Sequence, residues 1–413
     1  MSTAMSHGTV IVGAGQAGHT TAMQLRAAGY EAPVTVIGDE PAAPYQRPPL
    51  SKRYLLREVQ PEHLALGGRA RGPQIDLRTG ERVARIDVDR RLVVSDAGTS
   101  FRYDHLVLAT GTRARRLPEA LVGGLAGVHV LRTLADADTL AGALDDAKSV
   151  LVLGGGFIGL EFAAVAARLG RRVTVVERNR VLGRVVSEQA AEHIRSVHLG
   201  NGVEFVEGRE LASFDGVDGR VTAGVMTDGT RIEADLVLVG IGAEPVAELA
   251  ADAGLDVDNG ITVDELGRTS APGVYAIGDC ANFAWRGGRR RLESVQNAEF
   301  MAKAAAAHIA GRETPPRPAP WFWSDQYDVK LQIVGLLDES DTVVTRKAED
   351  GNGFSLWHYR GDDLVAVEAL NDPGAFLTAR RLMDRGVSPA QHTVADESLG
   401  IRDIAAQALE ATS

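Results

Sequence analysis

One pattern occurs twice in this chain and restricts its fold more than any other feature. Thr9-Val-Ile-Val-Gly-Ala-Gly-Gln-Ala-Gly18 and Val150-Leu-Val-Leu-Gly-Gly-Gly-Phe-Ile-Gly159 are each an aliphatic run followed by G-x-G-x-x-G. A helix-like stretch follows each, Thr20 to Ala28 and Leu160 to Leu169, and stops at Gly29 or Gly170. Glycine is expected just past a helix end, where the backbone turns left-handed. A second strand ending in an acid comes next, Val34 to Asp39 and Val173 to Glu177. Strand, glycine turn, helix, strand and acid in that order describe a βαβ unit that cradles a pyrophosphate. A single G-x-G-x-x-G is weak evidence; the whole order written twice is strong.

In the first copy Gly13 permits the tight turn, Gly15 lets the backbone approach a pyrophosphate, and Gly18 lets helix and strand pack closely. Free N–H groups at the helix start, reinforced by the helix dipole, favour an anion there. Asp39 is placed to accept from ribose hydroxyls. The second copy supplies Gly154, Gly156 and Gly159, with Ile158 inside the motif and Glu177 as the acid. A carboxylate at Glu177 accepts from a ribose 2′-hydroxyl and repels a 2′-phosphate, which favours NADH over NADPH. Arg178 and Arg180 either accept that phosphate or lie in a solvated loop. Leu106 to Gly111 and Leu236 to Gly242 are matching strands that end in glycine turns. They bring Thr110 and Gly111 to the first site and Gly242 to the second.

Arg82 to Val94 alternates as β structure. Pro315 to Pro320 reads as a linker. Beyond it, Lys330 to Leu336, Thr342 to Arg346, Phe354 to Tyr359 and Leu364 to Leu370 are strand-like, and Ala375 to Arg385 is helix-like. Consecutive strands without crossover helices make this tail an α+β domain. The 413 residues suit two or three domains. The expected architecture is therefore α/β, with two Rossmann-like dinucleotide-binding domains followed by the α+β tail.

Composition removes several classes of function. A net charge of −11 argues against a nucleic-acid binder. No window is long and apolar enough for a membrane span, and the first residues lack the apolar run of a signal peptide, so the cytoplasm is expected. Cys280 is the one cysteine. It excludes a disulfide scaffold, a multi-thiolate zinc site and an internal redox-active pair. No metal site is expected.

Gly13–Gly18, Pro44-Tyr-Gln-Arg-Pro-Pro-Leu-Ser-Lys52, Ala109-Thr-Gly111, Gly154–Glu161, Gly278-Asp279 and Pro320-Trp-Phe-Trp-Ser-Asp-Gln-Tyr327 occur in an order that resembles the NADH-dependent ferredoxin reductases of bacterial oxygenase systems. The resemblance runs from about Thr9 to the final helix, and its R-P-P-L-S-K and W-x-W-S-D-Q segments are far more specific than the glycine motifs. It implies the glutathione-reductase plan: an FAD domain over 1–113 and 243–318, an NAD domain over 114–242, and the C-terminal α+β domain over 319–413. It implies FAD in the first cradle and NADH in the second. It also implies FAD contacts at Ala17, Asp39, Lys52, Val83, Arg132, Asp279 and Val295, with Arg47 nearby. Asp279 would accept from a ribityl hydroxyl, although capping the next segment is equally sound chemistry.

Lys52 follows two prolines that fix the backbone, and beside a flavin it would stabilise negative charge on the reduced ring. The resemblance pairs it with Glu161 to orient the nicotinamide, making these two the catalytic candidates. An acid in the first helical turn, where Glu161 is expected, is also explained by the dipole alone. Arg47 either joins this charge cluster or lies on the surface. With no thiol relay, electrons must pass from flavin to an external acceptor, and flavin can split the pair that NADH delivers. The resemblance implies a small acidic [2Fe–2S] ferredoxin, feeding a cytochrome monooxygenase or a ring-hydroxylating dioxygenase. A rubredoxin reductase, an NADH oxidase and a flavin-bearing redox sensor or interaction protein remain as alternatives. Arg286, Arg289, Arg290, Arg291 and Lys303 either offer the local positive patch that such a partner needs or are solvated tips. Trp321 and Trp323 either shield the flavin or fill the core of the last domain.

Overall fold

The computed structural model describes residues 7–67, 74–285, 287–337 and 342–411. The chain falls into two compact units, Met1–Arg47 with Gln60–Arg113 and Ala243–Arg317, and Pro48–Val59 with Ala114–Gly242 and Pro318–Ser413.

The first unit is built on a five-stranded sheet in the order Val274–Ala276, His105–Leu108, Thr9–Val12, Val34–Gly38, Ile75–Thr79. All its pairings are parallel. Thr9–Val12 is buried along its whole length, which is why it reads as an unbroken β-branched run rather than an alternating one. The helix Gln16–Ala27 connects it to Val34–Gly38. It starts earlier than its apolar pattern suggests, directly after Gly15. The region expected to alternate forms a three-stranded antiparallel sheet of Val83–Asp87, Leu92–Ser95 and Ser100–Arg102. The helix Val295–Ile309 follows the strands Ala281–Trp285 and Gly288–Arg290.

The second unit repeats the plan. Its parallel sheet has the order Glu204–Glu207, Arg172–Glu177, Ser149–Leu153, Leu236–Val239, Val128–His129. The helix Phe157–Arg168 links Ser149–Leu153 to Arg172–Glu177. The tail adds an antiparallel sheet in the order Trp321–Gln326, Val329–Gly335, Asp363–Leu370, Phe354–Arg360, Thr342–Lys347. Helix Pro373–Met383, capped by Asp372, covers a core of Val334, Trp357, Tyr359 and Val367. Four of these strands match the sequence reading within a residue or two. Trp321–Gln326 had no strand signature, because its polar residues occupy the buried positions. Among the described residues no helix is long and apolar enough to cross a membrane.

Candidate functional site

Both glycine motifs fold into the same steric pattern. Gly13 has φ +111°, and a Cβ there would lie 2.1 Å from the Ala109 carbonyl oxygen. Gly154 has φ +104°, and its Cβ would lie 2.4 Å from the Gly240 oxygen. The last glycine of each motif is equally crowded: a Cβ on Gly18 or Gly159 would come within 1.9 or 2.1 Å of the carbonyl oxygen of Gly13 or Gly154. The middle glycine differs. At Gly15 and at Gly156 a Cβ would meet no protein atom within 4 Å, and φ is an ordinary −75° or −81°. Protein packing explains the outer glycines; the middle ones leave room for a group from outside the chain.

Each of these positions also begins a helix. Neither Gly15 nor Gly156 caps its helix with a side chain, and neither first turn holds an acid. Elsewhere Thr133, Ser187, Ser294 and Asp372 cap their helices with side-chain oxygens. Uncapped amide groups above an open glycine fit a diphosphate.

In the second unit Glu177 completes the cradle. Its Oε2 accepts from the Gly155 N–H at 2.8 Å and its Oε1 from the Asn179 N–H at 2.9 Å, so the carboxylate is fixed beside the glycine turn. Arg178 is exposed and paired with Glu210 at 3.2 Å, and Arg180 is half-buried. Ile158 is 44% exposed at the helix start, and Gly242 has φ +105° with open space around it. Arg132 donates its backbone N–H to Asp136 at 3.1 Å.

In the first unit Asp39 is exposed just past the strand Val34–Gly38. Arg47 pairs with Glu40 at 2.5 Å and lies over the Tyr45 ring, with the Tyr45 hydroxyl also donating to Glu40. Val83 is buried at the start of its strand. Thr110 Oγ1 donates to the Val246 carbonyl at 2.6 Å, and Gly111 turns with φ +65°. Gly278, directly before Asp279, lies against Ala17: a Cβ on Gly278 would stand 3.0 Å from Ala17 Cβ. Asp279 lies inside the single turn Gly278–Cys280, which Ile277 precedes as cap, and the strand Ala281–Trp285 follows, so Asp279 does not cap the next segment. Cys280 is fully buried, its thiol facing the Ile277 and Leu108 carbonyls, and burial raises its pKa.

The arginine cluster is less free than its sequence suggests. Arg289 donates to the carbonyls of Val263 and Asn282 at 2.8 and 2.5 Å. Arg291 donates to the Asp279 carbonyl at 2.9 Å and pairs with Glu293 at 2.7 Å. Both guanidiniums hold backbone in place, a use that a run of arginines cannot reveal. Lys303 is exposed, Arg290 is half-buried, and Arg286 lies outside the described residues.

The two most specific segments of the sequence meet at Glu161. Lys52 Nζ lies 2.9 Å from Glu161 Oε2, and the Ser51 hydroxyl donates to the same oxygen. Ser324 Oγ donates to Oε1 at 2.7 Å. Glu161 is 3% exposed and is the fifth residue of Phe157–Arg168, beyond the first turn. The helix dipole therefore does not account for it; three donors do. Trp321 packs edge-on to Phe376 at the rim of the tail's core, with Trp323 beside it at 5.3 Å. Among the described residues no group of three or more His, Cys, Asp and Glu side chains could hold a metal ion.

Residues 7–302 match the pyridine nucleotide-disulphide oxidoreductase family and residues 321–405 the reductase C-terminal family. Rhodocoxin reductase of Rhodococcus erythropolis is 42% identical over 398 residues, covering 95% of this chain and 93% of the relative. A rubredoxin-NAD(+) reductase of Pseudomonas putida is 40% identical over 369 residues, covering 88% of this chain and 96% of the relative. The crystal structure of the covalent putidaredoxin reductase–putidaredoxin complex superposes with a TM-score of 0.92 at 38% identity, covering 97% of this chain and 99% of that one. Two glycine turns that each leave the start of a helix open, an acid fixed beside the second, and no exposed thiol thus stand in a chain that belongs to the pyridine nucleotide-disulphide oxidoreductase family.

Proposed function

We propose that this chain is an FAD-dependent NADH oxidoreductase that delivers electrons one at a time to a small acidic [2Fe–2S] ferredoxin. The observation that carries the reading is the sealed Cys280. It is the one cysteine in the chain and is 0% exposed, so no thiol of this protein can take electrons from a flavin. Similarity to the covalent putidaredoxin reductase–putidaredoxin complex supports a ferredoxin as the external acceptor. The enzyme works in the cytoplasm, where NADH is made.

In this reading Gly15 and Ala17 cradle the FAD diphosphate in the turn that Gly18 packs, with Asp39 and Asp279 accepting from the ribose and ribityl hydroxyls of FAD. Gly13, Arg47, Val83, Thr110, Gly111, Arg132 and Val295 complete the surroundings. Gly154, Gly156, Ile158, Gly159 and Gly242 receive NADH, and Glu177 accepts from the adenosine ribose. Bound FAD supplies the conversion of a two-electron donor into single-electron steps. Lys52 supplies a fixed cation where negative charge develops, and Glu161 orients the nicotinamide. The domain limits, FAD over 1–113 and 243–318, NAD over 114–242 and the tail over 319–413, belong to the same proposal.

Anaerobic mixing with NADH, then with a [2Fe–2S] ferredoxin or a rubredoxin, tests it. Flavin absorbance should bleach with NADH and recover faster with the ferredoxin. A protein that bleaches but reduces only rubredoxin would transfer the reading to that acceptor.

Two further outcomes are expected. Glu177→Gln with Asn179→Arg keeps an acceptor for the Gly155 N–H while replacing a negative charge by a positive one. The ratio of kcat/KM for NADPH over NADH should rise about a hundredfold, since a juxtaposed like charge costs several kcal/mol. An unchanged ratio would remove Glu177 from the ribose site. Neutralising Arg290 and Lys303 should raise the KM for ferredoxin severalfold at low salt and leave that for NADH unchanged. Neutralising Arg289 should instead lower the unfolding temperature, because its two carbonyl partners lose their donor. Equal ferredoxin KM values in all variants would place the dock elsewhere.

A further inference from the structure

The strand Trp321–Gln326 is built against the usual pattern: Ser324 and Gln326 are its buried residues, whereas Trp321, Phe322 and Trp323 are half-buried. A strand selected for stability alone would bury the aromatics. Burying a hydroxyl and an amide costs free energy unless each finds a partner, and departures from binary patterning concentrate at functional sites.

Each of these polar groups is spent in one direction. Ser324 gives its only proton to Glu161 Oε1 at 2.7 Å, so it must accept at its oxygen. Gln326 Nε2 donates there at 3.0 Å. That turns Gln326 Oε1 toward His198 Nε2 at 2.8 Å, and an amide oxygen can only accept. His198 therefore donates from Nε2. It is 0% exposed, and burial lowers its pKa, which favours a neutral ring. Three consecutive donors, His198 to Gln326 to Ser324, end on Oε1, while Lys52 and Ser51 hold Oε2. Hydrogen bonds aligned head to tail polarise one another.

We propose that Ser324, Gln326 and His198 form a positioning relay that fixes the Glu161 carboxylate opposite Lys52 and so tunes hydride transfer from NADH. This rests on the reading of Glu161 as the group that orients the nicotinamide. With both oxygens anchored, Glu161 cannot swing away when the nicotinamide enters. A carboxylate has about four acceptor positions. Three are occupied here, by Lys52, Ser51 and Ser324.

The test uses FAD-loaded enzyme and single-turnover flavin reduction by NADH. Ser324→Ala and Gln326→Leu should each slow reduction about tenfold, with the dissociation constant for NADH changed less than threefold, because a bond to a charged group is worth a factor of about ten or more. Ser324→Thr keeps a hydroxyl and should restore the rate. The double variant should be no slower than Ser324→Ala, since both act through one oxygen. A second readout needs no turnover. In urea unfolding, Ser324→Ala should lower the folding equilibrium constant about tenfold when Glu161 is present and much less beside Glu161→Ala. Multiplying rate defects in the double variant, or equal unfolding losses in both backgrounds, would overturn the relay. If Glu161→Ala itself leaves the reduction rate unchanged, the reading of Glu161 fails, and the relay's role in hydride transfer fails with it. If Glu161→Ala is slow but Ser324→Ala and Gln326→Leu reduce normally, only the relay fails.

Discussion

Gly15→Val should purify as a folded protein without flavin, and Gly156→Val as a yellow protein that NADH does not bleach. At both positions a Cβ would meet no atom within 4 Å beyond its own chain neighbours, and φ values of −75° and −81° suit any residue. Replacing glycine there costs the fold little and restricts the unfolded chain slightly. The same isopropyl group fills the gap a diphosphate needs. Affinity for the dinucleotide should fall by about a thousandfold or more, because overpacking is compounded by loss of amide contacts at the helix start. Bound FAD stabilises the native state by mass action, so Gly15→Val is compared with FAD-stripped wild type. Their unfolding temperatures should agree within a few degrees.

The outer glycines supply the contrast. A Cβ on Gly18 would stand 1.9 Å from the Gly13 oxygen, a backbone atom that cannot move without displacing the turn. Gly18→Ala should therefore lose stability even without FAD. A Gly15→Val protein that retains stoichiometric flavin would show that the first cradle is not the FAD site. A Gly156→Val protein reduced by NADH at the normal rate would do the same for the second.

Much of this is legible in the sequence, and the reason is backbone geometry. A diphosphate turn fixes where glycine must stand, so Gly13, Gly15 and Gly18 could be given separate steric roles from spacing alone, and the Cβ distances match those roles. The buried parallel strands were legible as unbroken aliphatic runs. The strand Trp321–Gln326 was not, because its buried face is polar and partnered by side chains far off in sequence: Glu161 for Ser324, His198 for Gln326. No local window holds that information. The same limit applied to Arg289 and Arg291, whose carbonyl partners are supplied by the fold. Glu161 lies past the first turn expected for it, since the helix starts at Phe157 and a dipole effect reaches only about the first four residues. One signal was available: serine and glutamine two residues apart among aromatics, a pairing that puts both on one face of a strand.

Lys52→Met should damage stability and catalysis together, and the double variant Lys52→Met, Glu161→Gln should separate them. Glu161 is 3% exposed, and Lys52 Nζ, 2.9 Å from Oε2, is its cationic partner. Removing the cation leaves a buried carboxylate held only by the Ser51 and Ser324 hydroxyls. Breaking such a pair from one side costs about 3 kcal/mol, whereas replacing both partners is often nearly neutral. The double variant should therefore recover most of the lost stability in urea unfolding. Flavin reduction by NADH should not recover. It should stay slowed about a hundredfold in both variants, because a fixed charge aimed at the reacting centre is not replaced by a neutral amide. The asymmetry is what distinguishes a catalytic pair from a structural one. If reduction returns to the wild-type rate along with stability, the pair serves only to seat the Arg47-Pro-Pro-Leu-Ser-Lys52 segment, and the charge that assists hydride transfer must come from elsewhere.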